Sequence, residues 1–162
     1  VKTQEDKDAL WKALLDDRID VIATDHAPHT LEEKINPYMT CPSGGPLVQH
    51  AVVAMFEAHH QGKISVEKIV EKMCHNPAKI FKIEKRGFIK EGYYADIAIV
   101  NAYLPWNVKK ENILYKCGWS PFEGYNFKSR ITHTFVNGKL VYHNGKVKEA
   151  KAGQRLLFER EV

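Results

Sequence analysis

Ile22-Ala23-Thr24-Asp25-His26-Ala27-Pro28-His29-Thr30 is an apolar run that ends on a carboxylate and opens into a loop holding two imidazoles. With Asp20 and Val21 ahead of it, the run has the short, continuous, β-branched character of a strand buried on both faces, as in a parallel sheet. A strand that delivers one Asp and two His to its C-terminal edge is how a barrel enzyme builds an active site. The pattern predicts a strand over 20–24 with Asp25 at its end. A carboxylate there is costly unless it binds a metal, pairs with a cation or accepts hydrogen bonds, and the competing reading is an Asp that caps a helix or braces the loop.

On the N-terminal side, Thr3 reads as the N-cap of a helix with Glu5 and Asp6 in its first turn and Leu10, Trp11, Leu14 and Leu15 on one face, stopping near Asp16-Asp17. On the C-terminal side, residues 25–46 carry Pro28, Pro37, Pro42, Gly44, Gly45 and Pro46. They predict a long irregular loop, a candidate lid or binding wall. Helical spacing returns from Leu47 to His60 and ends at Gly62. Ser65 caps a further helix that turns Ile69, Val70 and Met73 inward, and Asn76-Pro77 starts a short helical turn through Ile80-Phe81. Beyond Phe81 the period changes. Strands are predicted at 95–100, 131–136 and 139–142, the last two joined by an Asn137-Gly138 hairpin turn. The expected organisation is a barrel-like unit over 1–82 and a small β domain over 83–162.

The 162 residues, 44% hydrophobic, suit one ordinary domain or two small ones. The formal charge of +4 is spread among interspersed acids and bases. Lys82 to Lys90 and Lys109-Lys110 read as solvated faces, so no nucleic-acid partner is expected. No apolar segment approaches the length of a membrane span, and the expectation is a soluble cytoplasmic protein without a membrane partner. Cys41, Cys74 and Cys117 lie far apart without a CxxC pair, which fits reduced thiols rather than a disulfide framework or structural zinc. Residue 1 is Val and a helical pattern starts almost at once, so the chain is expected to be processed or part of something longer.

Among the other chemistry-bearing residues, His26 is adjacent to Asp25 and suits supporting hydrogen bonds or packing better than ligation. His29, further along the loop, could touch a substrate or be a surface imidazole. His59-His60 read as solvent-facing at a helix C-terminus. His50, His75, His133 and His143 have no partner at metal-ligand spacing and receive no role. Cys41 is a bystander thiol unless a His activates it. Pro42-Ser43-Gly44-Gly45-Pro46 is either a flexible connector or a segment that offers backbone N–H and C=O groups to a planar, amide-bearing ligand.

Taken together, Asp20 through Thr30 with Glu32-Glu33-Lys34 resembles the last barrel strand and following loop of bacterial dihydroorotases of the amidohydrolase superfamily. Asn76-Pro77-Ala78-Lys79-Ile80-Phe81, Gly92-Tyr93-Tyr94-Ala95-Asp96-Ile97, Ser120-Pro121-Phe122-Glu123-Gly124 and Val136-Asn137-Gly138-Lys139-Leu140-Val141 resemble that family's C-terminal segments, in order. The resemblance implies an α/β fold: a (β/α)8 barrel with a binuclear zinc site, followed by a small β-sandwich-like domain built from both chain termini. It implies interconversion of N-carbamoyl-L-aspartate and L-dihydroorotate in pyrimidine synthesis. By position, Asp25 matches the Asp that ligates one zinc and shuttles the proton. His29 matches the contact to the substrate carboxylate, and Ser43 with Gly44 the segment that bonds the pyrimidine edge, although a bulkier residue is expected where Ser43 stands.

The family's other metal ligands come from earlier strands, and the sequence holds no HxH pair. The resemblance therefore implies the C-terminal part of a dihydroorotase, inactive alone, with the N-terminal barrel portion as a required partner. Two other readings stand beside it. One is a different cyclic-amide hydrolase, a hydantoinase or allantoinase, against which Thr24 and His29 argue. The other is a non-catalytic dihydroorotase-like subunit, whose unpaired barrel edges would demand oligomerisation or a partner.

Overall fold

The structure, a computed structural model, describes residues 1–159; residues 160–162, the end of the expected C-terminal unit, lie outside the described residues. Helix α1 (Gln4–Leu15) starts at the expected cap, where the Thr3 hydroxyl accepts from the Asp6 N–H and the Asp6 carboxylate accepts from the Thr3 N–H. Leu14 is buried and Trp11 packs beside it, whereas Leu10 and Leu15 are exposed. Leu10, Trp11 and Leu14 line one wall of an open apolar groove of about 350 Å³, with Ile19, Ile22 and Met55 opposite.

The strand predicted over 20–24 is not formed. A parallel ladder needs neighbouring strands, and among the described residues this segment is held on one side by a helix instead. That helix is a continuous run: α4 (Val66–Val70), a π-helical turn (Glu71–His75) and α5 (Asn76–Ile80), entered through the Ser65 cap. Two separate helices were expected here, and the π turn joins them. It does so by bonding the Asn76 N–H five residues back, to the Glu71 carbonyl. The next carbonyl, that of Lys72, would take its π-type partner from residue 77, which is Pro and has no N–H. The freed Lys72 carbonyl accepts from the Ile22 N–H at 3.1 Å.

Helix α3 (Ala51–His60) begins later than its apolar pattern, because Leu47–His50 form a turn. It joins two cores. Phe56 and Ala58 pack with Leu14, Ile64 and Ile69, and Val53 packs with Val108 and Phe127. Both cores draw on residues after 82, namely Val100 and Ala102 in the first and Val108 and Phe127 in the second.

The later part of the chain forms a four-stranded antiparallel sheet in the order β1-β4-β5-β6, from Ile97–Asn101, Arg130–Val136, Lys139–His143 and Lys146–Val147. A separate ribbon pairs β2 (Trp106–Asn107) with β3 (Asn126–Phe127). The three predicted strands are β1, β4 and β5. Asn137 and Gly138 turn the hairpin with φ of 49° and 78°, as a two-residue turn between twisted strands requires. The expected sandwich-like domain is thus one sheet and one short ribbon in these residues. No helix among the described residues is long and apolar enough to cross a membrane.

Candidate active site

Asp25 sits at the end of a segment tied down at three points. Besides the Ile22–Lys72 bond, the Asn76 amide donates to the Asp20 carbonyl at 2.8 Å, and the fully buried Lys72 ammonium donates to the Ile19 carbonyl at 2.6 Å. Lys72 also pairs with Asp17 at 2.9 Å, as does Lys68 at 2.8 Å. Hydrogen bonds from Lys68 and then Lys72 hold the Asp17 carboxyl down to about 2. At the end of this anchored stretch, Asp25 takes a left-handed backbone with φ of 45°, a conformation that Asp adopts more readily than most side chains. Its carboxylate is exposed and, among the described residues, makes no hydrogen bond or ion pair.

The turn carries the chain against the 43–45 segment. Ala27 N–H donates to the Gly45 carbonyl at 3.1 Å, and His26 and Gly45 form an isolated parallel bridge. Gly44, at φ +85°, permits the approach, since a Cβ there would stand 2.6 Å from the Ala27 Cβ. Lys34 closes the loop from outside, its ammonium donating to the carbonyls of Pro42 at 2.6 Å and Gly44 at 3.0 Å. Ser43 and Gly44 are therefore exposed beside Asp25–Ala27.

His26 Nδ1 accepts from the backbone N–H groups of Leu47 at 3.1 Å and Val48 at 3.4 Å, which leaves Nε2 as its protonated nitrogen. His29 is half-buried: its Nδ1 lies 3.4 Å from Glu33 Oε2, and its carbonyl accepts from Trp119 Nε1 at 2.8 Å. The loop also holds a short helix α2 (Leu31–Lys34) that the Pro and Gly content concealed. A capping box between Thr30 and Glu33 starts it. The Cys41 thiol is turned to the Lys34 and Pro42 carbonyls. His59 and His60 are not solvent-facing: His59 Nδ1 bonds the Ile64 carbonyl and His60 Nε2 the Ser129 hydroxyl, which draws both rings inward.

Among the described residues no three His, Cys, Asp or Glu side chains converge as a metal site. The donor set fits one position of a metal centre, at Asp25, and not a centre of its own. Sequence reasoning missed Lys34, Tyr115 and Trp119. Trp119 directly precedes the Ser120-Pro121 motif, and a part-buried indole calls for an acceptor. Nothing local tells that the acceptor lies ninety residues upstream.

Residues 2–141 match the amidohydrolase family. The dihydroorotase of Pyrococcus furiosus is 38% identical over 157 residues, covering 97% of this chain and 36% of its own length. That of Endomicrobium trichonymphae is 42% identical over 144 residues, covering 88% and 34%. Among solved structures, the L-hydantoinase of Arthrobacter aurescens superposes with a TM-score of 0.84 at 26% identity, over 91% of this chain and 34% of that one. The chain spans about a third of the length of the curated relatives it matches. On the extent of that match, the chain belongs to the amidohydrolase family.

Proposed function

We propose that these residues form part of a zinc-dependent dihydroorotase, which interconverts N-carbamoyl-L-aspartate and L-dihydroorotate in cytoplasmic pyrimidine synthesis. The remaining strands of its (β/α)8 barrel come from polypeptide beyond this chain. The observation that carries the reading is the clasp between 25–29 and 43–45, which sets a carboxylate unpaired among the described residues beside the exposed Ser43 and Gly44. The dihydroorotases at 38% and 42% identity support it.

In this reading Asp25 would hold a zinc through one carboxylate oxygen, and its other oxygen would take the proton of the attacking water and return it to the leaving ring nitrogen. Bound zinc supplies a lowered pKa for that water and polarises the amide carbonyl. His29 holds the substrate carboxylate, while Ser43 and Gly44 offer backbone groups to the pyrimidine edge.

Dihydroorotate turnover by the whole protein tests the reading. Asp25→Asn should lower kcat by at least about 10²-fold with little change in folding, because it removes both a ligand and a proton carrier. The chain alone, supplied with zinc, should show no turnover, and measurable activity there would refute the shared-site arrangement. A hydantoinase activity is the second reading, favoured by the fold match to a hydantoinase. A panel of cyclic amides separates the two, since only a dihydroorotase needs the carboxylate that His29 is read to bind.

A further inference from the structure

Trp119 takes no part in the proposed chemistry, yet it is bonded to the loop that does. Its indole N–H donates to the His29 carbonyl at 2.8 Å. The far edge of the same indole lies 3.9 Å from where a side chain on Gly45 would begin. One side chain thus bonds one wall of the clasp and faces the other.

The segment bearing Trp119 is itself well fixed. The Tyr115 hydroxyl accepts from the Gln49 N–H at 2.8 Å, and its ring lies 5.1 Å from that of His26. Buried Ser120 bonds the fully buried His50 through its hydroxyl at 3.2 Å. Residues 115–120 therefore connect the turn at 47–50 to the loop at 26–29, and the single hydrogen bond that reaches His29 from this segment comes from Trp119. Without that bond, a half-buried indole N–H and a loop carbonyl would both lose their partner.

We infer that Trp119 is a positioning residue for His29: by holding the His29 carbonyl it sets the direction of the imidazole, and through it the affinity for the carboxylate of the substrate. The inference rests on the reading of His29 given above. It places the effect on binding, because the indole N–H of Trp119 bonds the His29 carbonyl and not Asp25.

Trp119→Phe in the whole enzyme keeps an aromatic wall and deletes the donor. The KM for dihydroorotate should rise about 3- to 10-fold, the worth of one net hydrogen bond, with kcat within about two-fold of wild type. Orotate should weaken as a competitive ligand by the same factor, while uracil, which lacks the carboxylate, should not. Amide hydrogen exchange over 27–31 in the same protein should quicken, with 51–60 unchanged. If the Phe variant fails to fold, Trp119 replaced by benzothienylalanine has the same shape without the N–H and serves instead. An unchanged KM, or equal weakening of orotate and uracil, overturns the inference. If the wild-type enzyme turns over no dihydroorotate, the functional reading falls and exchange alone decides: faster exchange over 27–31 upholds the brace, and unchanged exchange overturns it.

Discussion

At position 44 a single hydrogen atom in place of a methyl lets two segments of loop meet. Gly44→Ala would set a Cβ 2.6 Å from the Ala27 Cβ on a backbone at φ +85°, so the walls must part or the backbone must flip. The expected result is a loss of about 1–3 kcal/mol in urea unfolding, with a larger fractional loss of turnover in the whole enzyme. Turnover and stability both at wild-type level would show that the contact is dispensable. The glycines of 42–46 already announced in sequence that something approaches this backbone. That the visitor is Ala27 could not be read, because it follows from a bridge between His26 and Gly45 rather than from any local pattern. The same holds for His26, whose neighbour-to-Asp25 position suggested a supporting role but not its acceptance of two amides at the next turn.

Among elements, those specified by their own residues were legible: the Thr3 cap of α1, the Ser65 cap of α4 and the Asn137-Gly138 hairpin. Segment 20–24 was not, because β-branched residues prescribe a strand only where a second strand exists to pair with. The basic run at 82–90 was misread for a related reason, since charge pattern suggests solvent while Arg86 is buried. Its guanidinium pairs with Asp96, donates to Asn137 Oδ1 at 2.8 Å and lies 4.3 Å from the centre of the Tyr94 ring. Asp96 in turn accepts from the Asn137 N–H at 2.7 Å, so the hairpin turn is fastened to the chain ahead of β1. Arg86→Ala should cost about 2–3 kcal/mol, at or below the range for fully buried pairs because the Asp96 side chain is one-third exposed. Chemical denaturation checks this, and a change under about 0.5 kcal/mol would place the node among ordinary surface pairs.

For the whole molecule, acid should act in two stages. His50 is fully buried in an aromatic surround, and burial pulls it down to about 4. Among the described residues its Nε2 has no partner, so a proton added there would be a buried, unpaired charge. A depressed His favours the folded state fully above about pH 6.5 and loses that contribution as pH falls toward 4, an effect on the order of 3 kcal/mol. Asp17, held near 2 by Lys68 and Lys72, adds a contribution present above about pH 4 and lost as pH falls through 2. Urea midpoints should therefore decline from pH 6.5 to 4, and again below that. His50→Phe should flatten the first decline while leaving the second, and a first decline that persists in this variant would remove His50 as its cause. The segment that carries Asp25 has little stability of its own. One of its backbone anchors is a carbonyl that the helix 66–80 leaves unclaimed, because the π turn takes the Asn76 N–H to Glu71 and Pro77 has no proton to offer. Helix and site segment thus form one cooperative unit: fluctuations that fray the helix around its π turn should release the Asp25 turn with them, so the order of the site tracks that of a helix bonded to it by the Lys72 carbonyl and by the Lys72 and Asn76 side chains.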